Sequence, residues 1–168
     1  MTNPLFSTVI DSPVGALTIV ASDGGVRAIL WPDDDPARVR LDDTTDDSAH
    51  PMIAATVRQL SEYFAGRRTE FDVALDAVGT EFQRSAWASL RTIPYGTTVS
   101  YGEQAEQMGD RRKARAVGAA NGRNPISILV PCHRVVGANG ALTGFAGGVD
   151  TKAWLLAHER RMTSRADP

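Results

Sequence analysis

The chain changes character at Ala77-Val78-Gly79, and that change limits the folds open to it. Residues 1–79 carry 6 Lys+Arg against 13 Asp+Glu, whereas residues 80–168 carry 12 against 7. The apolar pattern changes at the same place. Leu5 to Ile10, Gly15 to Ala21 and Val26 to Trp31 are β-prone runs, separated by Asp11-Ser12-Pro13 and Asp23-Gly24-Gly25. That is the pattern of a strand meander. Ile53, Val57, Leu60 and Phe64 then recur at helical spacing, which predicts a helix over 52–65 ending at Gly66. Phe71 to Leu75 reads as a short strand. Pro32 to Asp47 holds seven aspartates and few large apolar residues, so a mobile acidic loop is expected there.

Beyond residue 79 the chain reads as helices. Thr80-Glu81-Phe82-Gln83 and Ser100-Tyr101-Gly102-Glu103 both fit a capping box, in which a hydroxyl and a carboxyl or amide three residues on satisfy each other's backbone N–H groups. The first opens a helix to about Leu90, with Phe82, Ala86, Trp87 and Leu90 on its apolar face. The second opens a short helix closed by Gly109. Asp110 caps a further helix over about 111–121. Two short helices joined through Gly109-Asp110, the second basic, form a candidate helix-turn-helix. Ser127 to Val130 reads as an apolar strand, Asn139-Gly140 as a hairpin turn, residues 144–148 as a flexible loop, and about 151–161 as a last helix. The fold class expected is α+β: a small β-sheet-plus-helix N-terminal domain, 1–79, followed by a mostly helical C-terminal domain, 80–168.

Cys132, in Val130-Pro131-Cys132-His133-Arg134, is the chain's single cysteine. It can form neither an intramolecular disulfide nor, with three scattered histidines, a multi-thiolate zinc site; no metal is expected. A buried inert thiol, a redox sensor or a nucleophile remain. His133, Arg134 and their basic surroundings favour a thiolate nucleophile, because nearby positive charge lowers a thiol pKa. If residues 127–133 are extended, neighbouring side chains point to opposite faces. Either the chain then bends after Pro131, or a water links sulfur to imidazole. A third group is needed to orient the imidazole.

Residues 111–134 hold six basic residues and no acid, which suggests a local polyanion contact. The basic helix is rich in small residues, Ala114, Ala116, Gly118, Ala119 and Ala120. They suit close approach to phosphate and the minor groove better than base-specific reading in the major groove. No stretch is apolar enough to span a membrane, and the N-terminus lacks the marks of a signal peptide. A cytoplasmic location is expected.

The run Ser100-Tyr101-Gly102, Lys113 to Gly118, Asn124-Pro125, Val130 to Val136, Gly147-Gly148, Lys152 and Trp154 to Glu159 resembles the O6-alkylguanine-DNA alkyltransferases, also called methylated-DNA–protein-cysteine methyltransferases. The resemblance covers essentially all of residues 80–160 and only the general character of 1–79. It implies single-turnover transfer of an alkyl group from O6-alkylguanine in double-stranded DNA to Cys132, with no cofactor. His133 would be the base, acting through a bound water, and Glu159 would orient it. Tyr101 would bond the flipped guanine and supply a proton. Arg115 would replace the flipped nucleotide. Lys113, Ala114, Ala116, Gly118, Ala119, Arg123 and Arg134 would line the DNA contact. Val135, Asn121, Asn124, Phe145, Ala146, Gly147 and Lys152 would surround the base, with Asn124 tying the helix-turn-helix to the cysteine segment. Asn121, Phe145 and Ala146 depart from residues common in relatives and bear on which alkyl groups are accepted. A monomer in solution is expected, with cooperative binding on DNA left open. Two rivals stand beside this reading: a cysteine hydrolase with a Cys132–His133–Glu159 triad, and a non-catalytic helix-turn-helix module that senses damage.

Overall fold

The structure is a computed structural model and describes residues 3–166. The three β-prone runs form antiparallel strands β1 (Leu5–Ile10), β2 (Leu17–Ser22) and β3 (Gly25–Leu30), with Phe6 opposite Ala21 and Ile19 opposite Ile29. Alternation sends side chains to both faces. Leu17, Ile19 and Ala21 enter the main core, while Val20 and Ala28 join Leu5 in a smaller cluster on the other face.

The acidic segment is held down, contrary to the mobile loop expected. Its end forms strand β4 (Thr44–Asp46), parallel to β1 with Phe6 opposite Thr45, and the sheet order is β3-β2-β1-β4. Arg38 anchors its middle. The guanidinium pairs with Asp34 and donates to the carbonyls of Ile29 and Asn124. Three acceptors on one planar fork offset the self-repulsion of the surrounding aspartates.

Helix α1 (Pro51–Phe64) starts with proline at its first position, where no amide donor is needed, and His50 Nδ1 accepts from Met52 N. Its buried face is Ile53, Thr56, Gln59, Leu60 and Tyr63, rotated from the expected stripe so that Val57 and Phe64 lie at its margin. The strand expected at Phe71 to Leu75 shrinks to one bridge, Leu75 beside Val26.

Both capping boxes form. Thr80 opens α2 (Glu81–Leu90) and Ser100 opens α3 (Tyr101–Gln107). The basic helix begins as a 3-10 turn, Arg111–Lys113, capped by Asp110, and continues as α4 (Ala114–Gly122). Helices α2, α3 and α4 pack on one another. Residues 127–130 are a tight loop, not the expected strand. Ile128 sits at φ +75°, a region a β-branched residue enters only when its surroundings hold it there, and Ile128 is fully packed in the core. Asn139-Gly140 makes a turn closed by Gly137 N to Ala141 O at 2.8 Å, with no flanking strands. A short parallel pair, β5 (Val99–Ser100) with β6 (Val135–Val136), fixes the start of α3 beside the cysteine segment. Helix α5 (Val149–Ala166) closes the chain. Among the described residues, no helix is long and apolar enough to cross a membrane.

One core cluster runs through both halves, joining Leu17, Ile29 and Tyr63 to Leu90, Ile126 and Leu155. The backbone crosses as well: Ile29 N donates to Pro125 O at 2.9 Å. The cysteine loop therefore leans directly on the sheet.

Candidate active site

Pro131, at φ −83° and ψ 65°, turns the chain into a 3-10 turn, Cys132–Arg134. The chain bends here, yet His133 Nδ1 finds no hydrogen-bond partner, so the bend does not by itself join imidazole to sulfur. Cys132 N donates to Val130 O at 2.8 Å and Arg134 N to Pro131 O at 3.0 Å. Asn124, just beyond α4, clamps the loop: Nδ2 donates to Val130 O at 2.8 Å, and Oδ1 accepts from Ile126 N at 3.1 Å.

His133 turns inward, where its Nε2 meets Glu159 Oε2 at 2.7 Å, and both side chains are fully buried. His133 Nδ1 is buried with no hydrogen-bond partner. Burial pushes the His133 pKa down, more than the Glu159 hydrogen bond and charge raise it. Burial would also raise the Glu159 carboxyl, but the hydrogen bonds and charges of His133 and Arg134 outweigh it and hold the group far below its ordinary range. The pair is thus a neutral imidazole against a carboxylate.

Cys132 lines a cavity of about 90 Å³ together with Tyr101, Gly118, Asn121, Asn124, Phe145, Ala146 and Lys152. Ligand sites commonly enclose roughly 300–1,000 Å³, so this one is too narrow to hold a purine as it stands. The hydroxyl of Tyr101 is engaged, lying 2.7 Å from Thr143 Oγ1. Burial pushes the Cys132 thiol up, outweighing the Asn124 hydrogen bond and the charges of Lys152 and Arg38. The thiolate expected from His133 and Arg134 is therefore corrected. Both of those residues face Glu159, and the resting sulfur is a thiol. Burial also lowers the Lys152 pKa, which the Cys132 charge opposes. Its Nζ lies 6.0 Å from the centre of the Tyr101 ring. Asn121 pairs with Gln104 instead of presenting both amide groups to the cavity. Val135 is buried in β6 and Gly147 lies against Trp31, and neither lines the cavity.

Lys113, Arg115, Ala116, Ala119 and Arg123 are exposed along one stretch, with Ala114 and Gly118 half-buried. Gly118 faces the Tyr101 ring, where a Cβ would stand 3.5 Å away, an ordinary contact that makes no steric demand for glycine. Arg123 Nη1 donates to Ala37 O. Arg134 does not belong to this surface. It is buried, pairs with Glu159 and donates to Ile93 O at 2.8 Å, because a guanidinium beside a buried carboxylate satisfies both charges. Trp31, Tyr63 and Thr143 were not singled out from the sequence. Trp31 Nε1 bonds Ser127 Oγ at 3.2 Å, and its ring meets Phe145 edge-on at 5.4 Å. Their partners lie many residues away, and no local pattern marks them.

Comparison with known proteins agrees in both halves. Residues 5–77 match the 6-O-methylguanine DNA methyltransferase ribonuclease-like domain, and residues 81–161 match the DNA binding domain of the same family. The methylated-DNA–protein-cysteine methyltransferase of Mycolicibacterium paratuberculosis is 53% identical over 152 residues, 90% of each chain. That of Shigella flexneri is 46% identical over 163 residues, covering 92% of this chain and 95% of its own. A crystal structure of Mycobacterium tuberculosis OGT in complex with DNA superimposes with a TM-score of 0.84 at 46% identity, over 94% of each chain. With both halves matched in order and relatives this similar over nearly their whole length, the chain belongs to the 6-O-methylguanine DNA methyltransferase family.

Proposed function

We propose that this protein repairs DNA by direct reversal, moving the alkyl group of O6-alkylguanine onto Cys132 in a single turnover. The observation that carries the reading is the position of Cys132. The thiol lies in a narrow cavity between an exposed basic helix and a buried histidine–carboxylate pair. The substrate is double-stranded DNA. The target atom is inside the stack, so the nucleotide leaves the duplex before it reacts. Arg115 fills the gap, and Lys113 and Arg123 contact phosphates on either side. The cavity widens to admit the base, and Tyr101 exchanges Thr143 for the guanine.

The thiol proton passes to His133 Nδ1 through a bridging water, and neutral His133 is the form able to accept it. Glu159 and Arg134 stabilise the imidazolium, and Lys152 the thiolate. The Cys132 Sγ–carbon bond forms as the carbon–O6 bond breaks. The electron pair leaves with guanine, which takes a proton from Tyr101 or a hydrogen bond from the 144–148 backbone. The product thioether has no second thiol to resolve it, so one molecule repairs one lesion. A monomer suffices for this chemistry. A reducing compartment such as the cytoplasm keeps the thiol free.

Intact mass measurement after incubation with a duplex containing O6-methylguanine tests the reading. The expected result is one added methylene per chain, mapped to Cys132, and none in Cys132→Ala, which still binds DNA. Many turnovers on a chromogenic ester would favour a hydrolase instead. Binding to lesion DNA without any mass gain would favour a sensor.

A further inference from the structure

Glu159 takes a hydrogen bond from the other half of the molecule. The Tyr63 hydroxyl, at the end of α1, lies 2.7 Å from Glu159 Oε2, the oxygen that meets His133 Nε2 at the same distance. Tyr63 and Glu159 have no solvent exposure. The rest of the carboxylate shell comes from the second half: Arg134 on both oxygens, and Gly96 N on Oε1 at 3.1 Å. Tyr63 itself is fixed on several sides. Its carbonyl accepts from His158 Nε2 at 2.8 Å, the His158 and Tyr63 ring centres lie 5.3 Å apart, and Phe71 and Tyr95 pack on its ring. Adjacent residues of α5, His158 and Glu159, thus grip its backbone and its hydroxyl.

We propose that Tyr63 is a positioning residue for alkyl transfer: its hydroxyl fixes the Glu159 oxygen that orients His133, so the N-terminal half supplies part of the apparatus that activates Cys132. The inference rests on the alkyl-transfer reading above. A carboxylate oxygen shared among three donors is held in place and is less basic than one serving a histidine alone. The Tyr63 phenol is raised well above its ordinary pKa, first by burial and then by the Glu159 charge, so it serves as a donor. Without its hydroxyl, the carboxylate regains basicity and holds a proton on His133 more strongly. The other groups facing this pair are Arg134, Tyr95 and Lys152, all unchanged by the substitution.

Tyr63→Phe in the full chain tests this, because it removes one oxygen and keeps the packing. Single-turnover methyl transfer from duplex O6-methylguanine should slow about tenfold, the weight of one hydrogen bond to a charged group. The acidic limb of its pH–rate profile should move to higher pH, while DNA affinity stays within about twofold. Phe71→Leu loosens the same ring without touching the hydroxyl bond. It should lower the melting midpoint and leave the limb in place. Rates are read well below each variant's melting midpoint. An unchanged rate in Tyr63→Phe, or a slower rate with an unmoved limb, overturns the positioning role. If the wild type gains no mass at Cys132, the alkyl-transfer reading has failed, a result distinct from either of these.

Discussion

Arg134 grips both oxygens of Glu159, with Nε 2.9 Å from Oε1 and Nη2 3.0 Å from Oε2. Burial is the larger cause that keeps His133 neutral, and the arginine, by balancing the buried carboxylate, acts in the same direction. A carboxylate facing only a histidine would draw a proton onto the ring and remove the base that the chemistry needs. The basic residue that follows Cys132 and His133 thus acts through the interior.

Glu159→Gln breaks this arrangement in two measurable ways. It leaves Arg134 buried without its counter-charge, which costs about 3–5 kcal/mol and should appear as a lower urea midpoint. Transfer should also slow by roughly 100- to 10,000-fold, the usual weight of a general base. A rate within about twofold of wild type would show that His133 does not work through Glu159.

Acid should destabilise the protein in two stages. Burial lowers the His133 pKa, so below its ordinary value of 6.5 the unfolded chain takes up a proton that the folded one refuses. Glu159 is depressed, so the stability it contributes is whole above its ordinary value of 4.5 and is lost as pH falls through its folded value. Both terms have the same sign, since the unfolded state binds more protons. Urea midpoints should fall from pH 7 to 5 and fall further below 4.5. A midpoint that rises on acidification to pH 5 would contradict this assignment.

Arg115→Ala separates base flipping from chemistry. If Arg115 replaces the extruded nucleotide, it offsets an unstacking cost on the order of a few kcal/mol. Repair of duplex O6-methylguanine should slow strongly, while reaction with free O6-benzylguanine stays nearly unchanged. Lys113→Ala is the companion measurement and should mainly reduce the salt dependence of binding. Equal losses on duplex and free base would assign Arg115 to the fold or the thiol.

Gly147→Ala should disturb the substrate loop from beneath. A Cβ there would stand 2.7 Å from Trp31 Cδ2, and Trp31 is buried and bonded to Ser127. The loop has to shift, at a cost of about 1–3 kcal/mol, and transfer should slow as Phe145 moves with it. Wild-type stability and rate in this variant would mean that the loop yields freely.

Features set by neighbours in sequence were legible beforehand. Thr80 with Gln83, and Ser100 with Glu103, form their capping boxes because three residues suffice to make one. The cysteine segment was legible because a lone thiol beside histidine and proline is chemically distinctive. Features set by distant partners were not. Ser127 to Val130 has the composition of a strand, but Asn124 and the sheet bend it around Ile128. Arg134 has the composition of a DNA contact, but Glu159, 25 residues on, draws it inward. Tyr63 reads as one more apolar residue on α1, because its hydroxyl partner lies 96 positions away.

The crossing of β3 into the cysteine loop has a practical consequence for anyone trimming this protein. Ile29 is bonded to Pro125, Arg38 to Asn124 and Trp31 to Ser127. The join near residue 79 is thus a seam in the chain and not in the solid. A fragment cut there would keep its sulfur, imidazole and basic helix but lose the wall on which the cysteine loop leans. The minimal working reagent is both halves together.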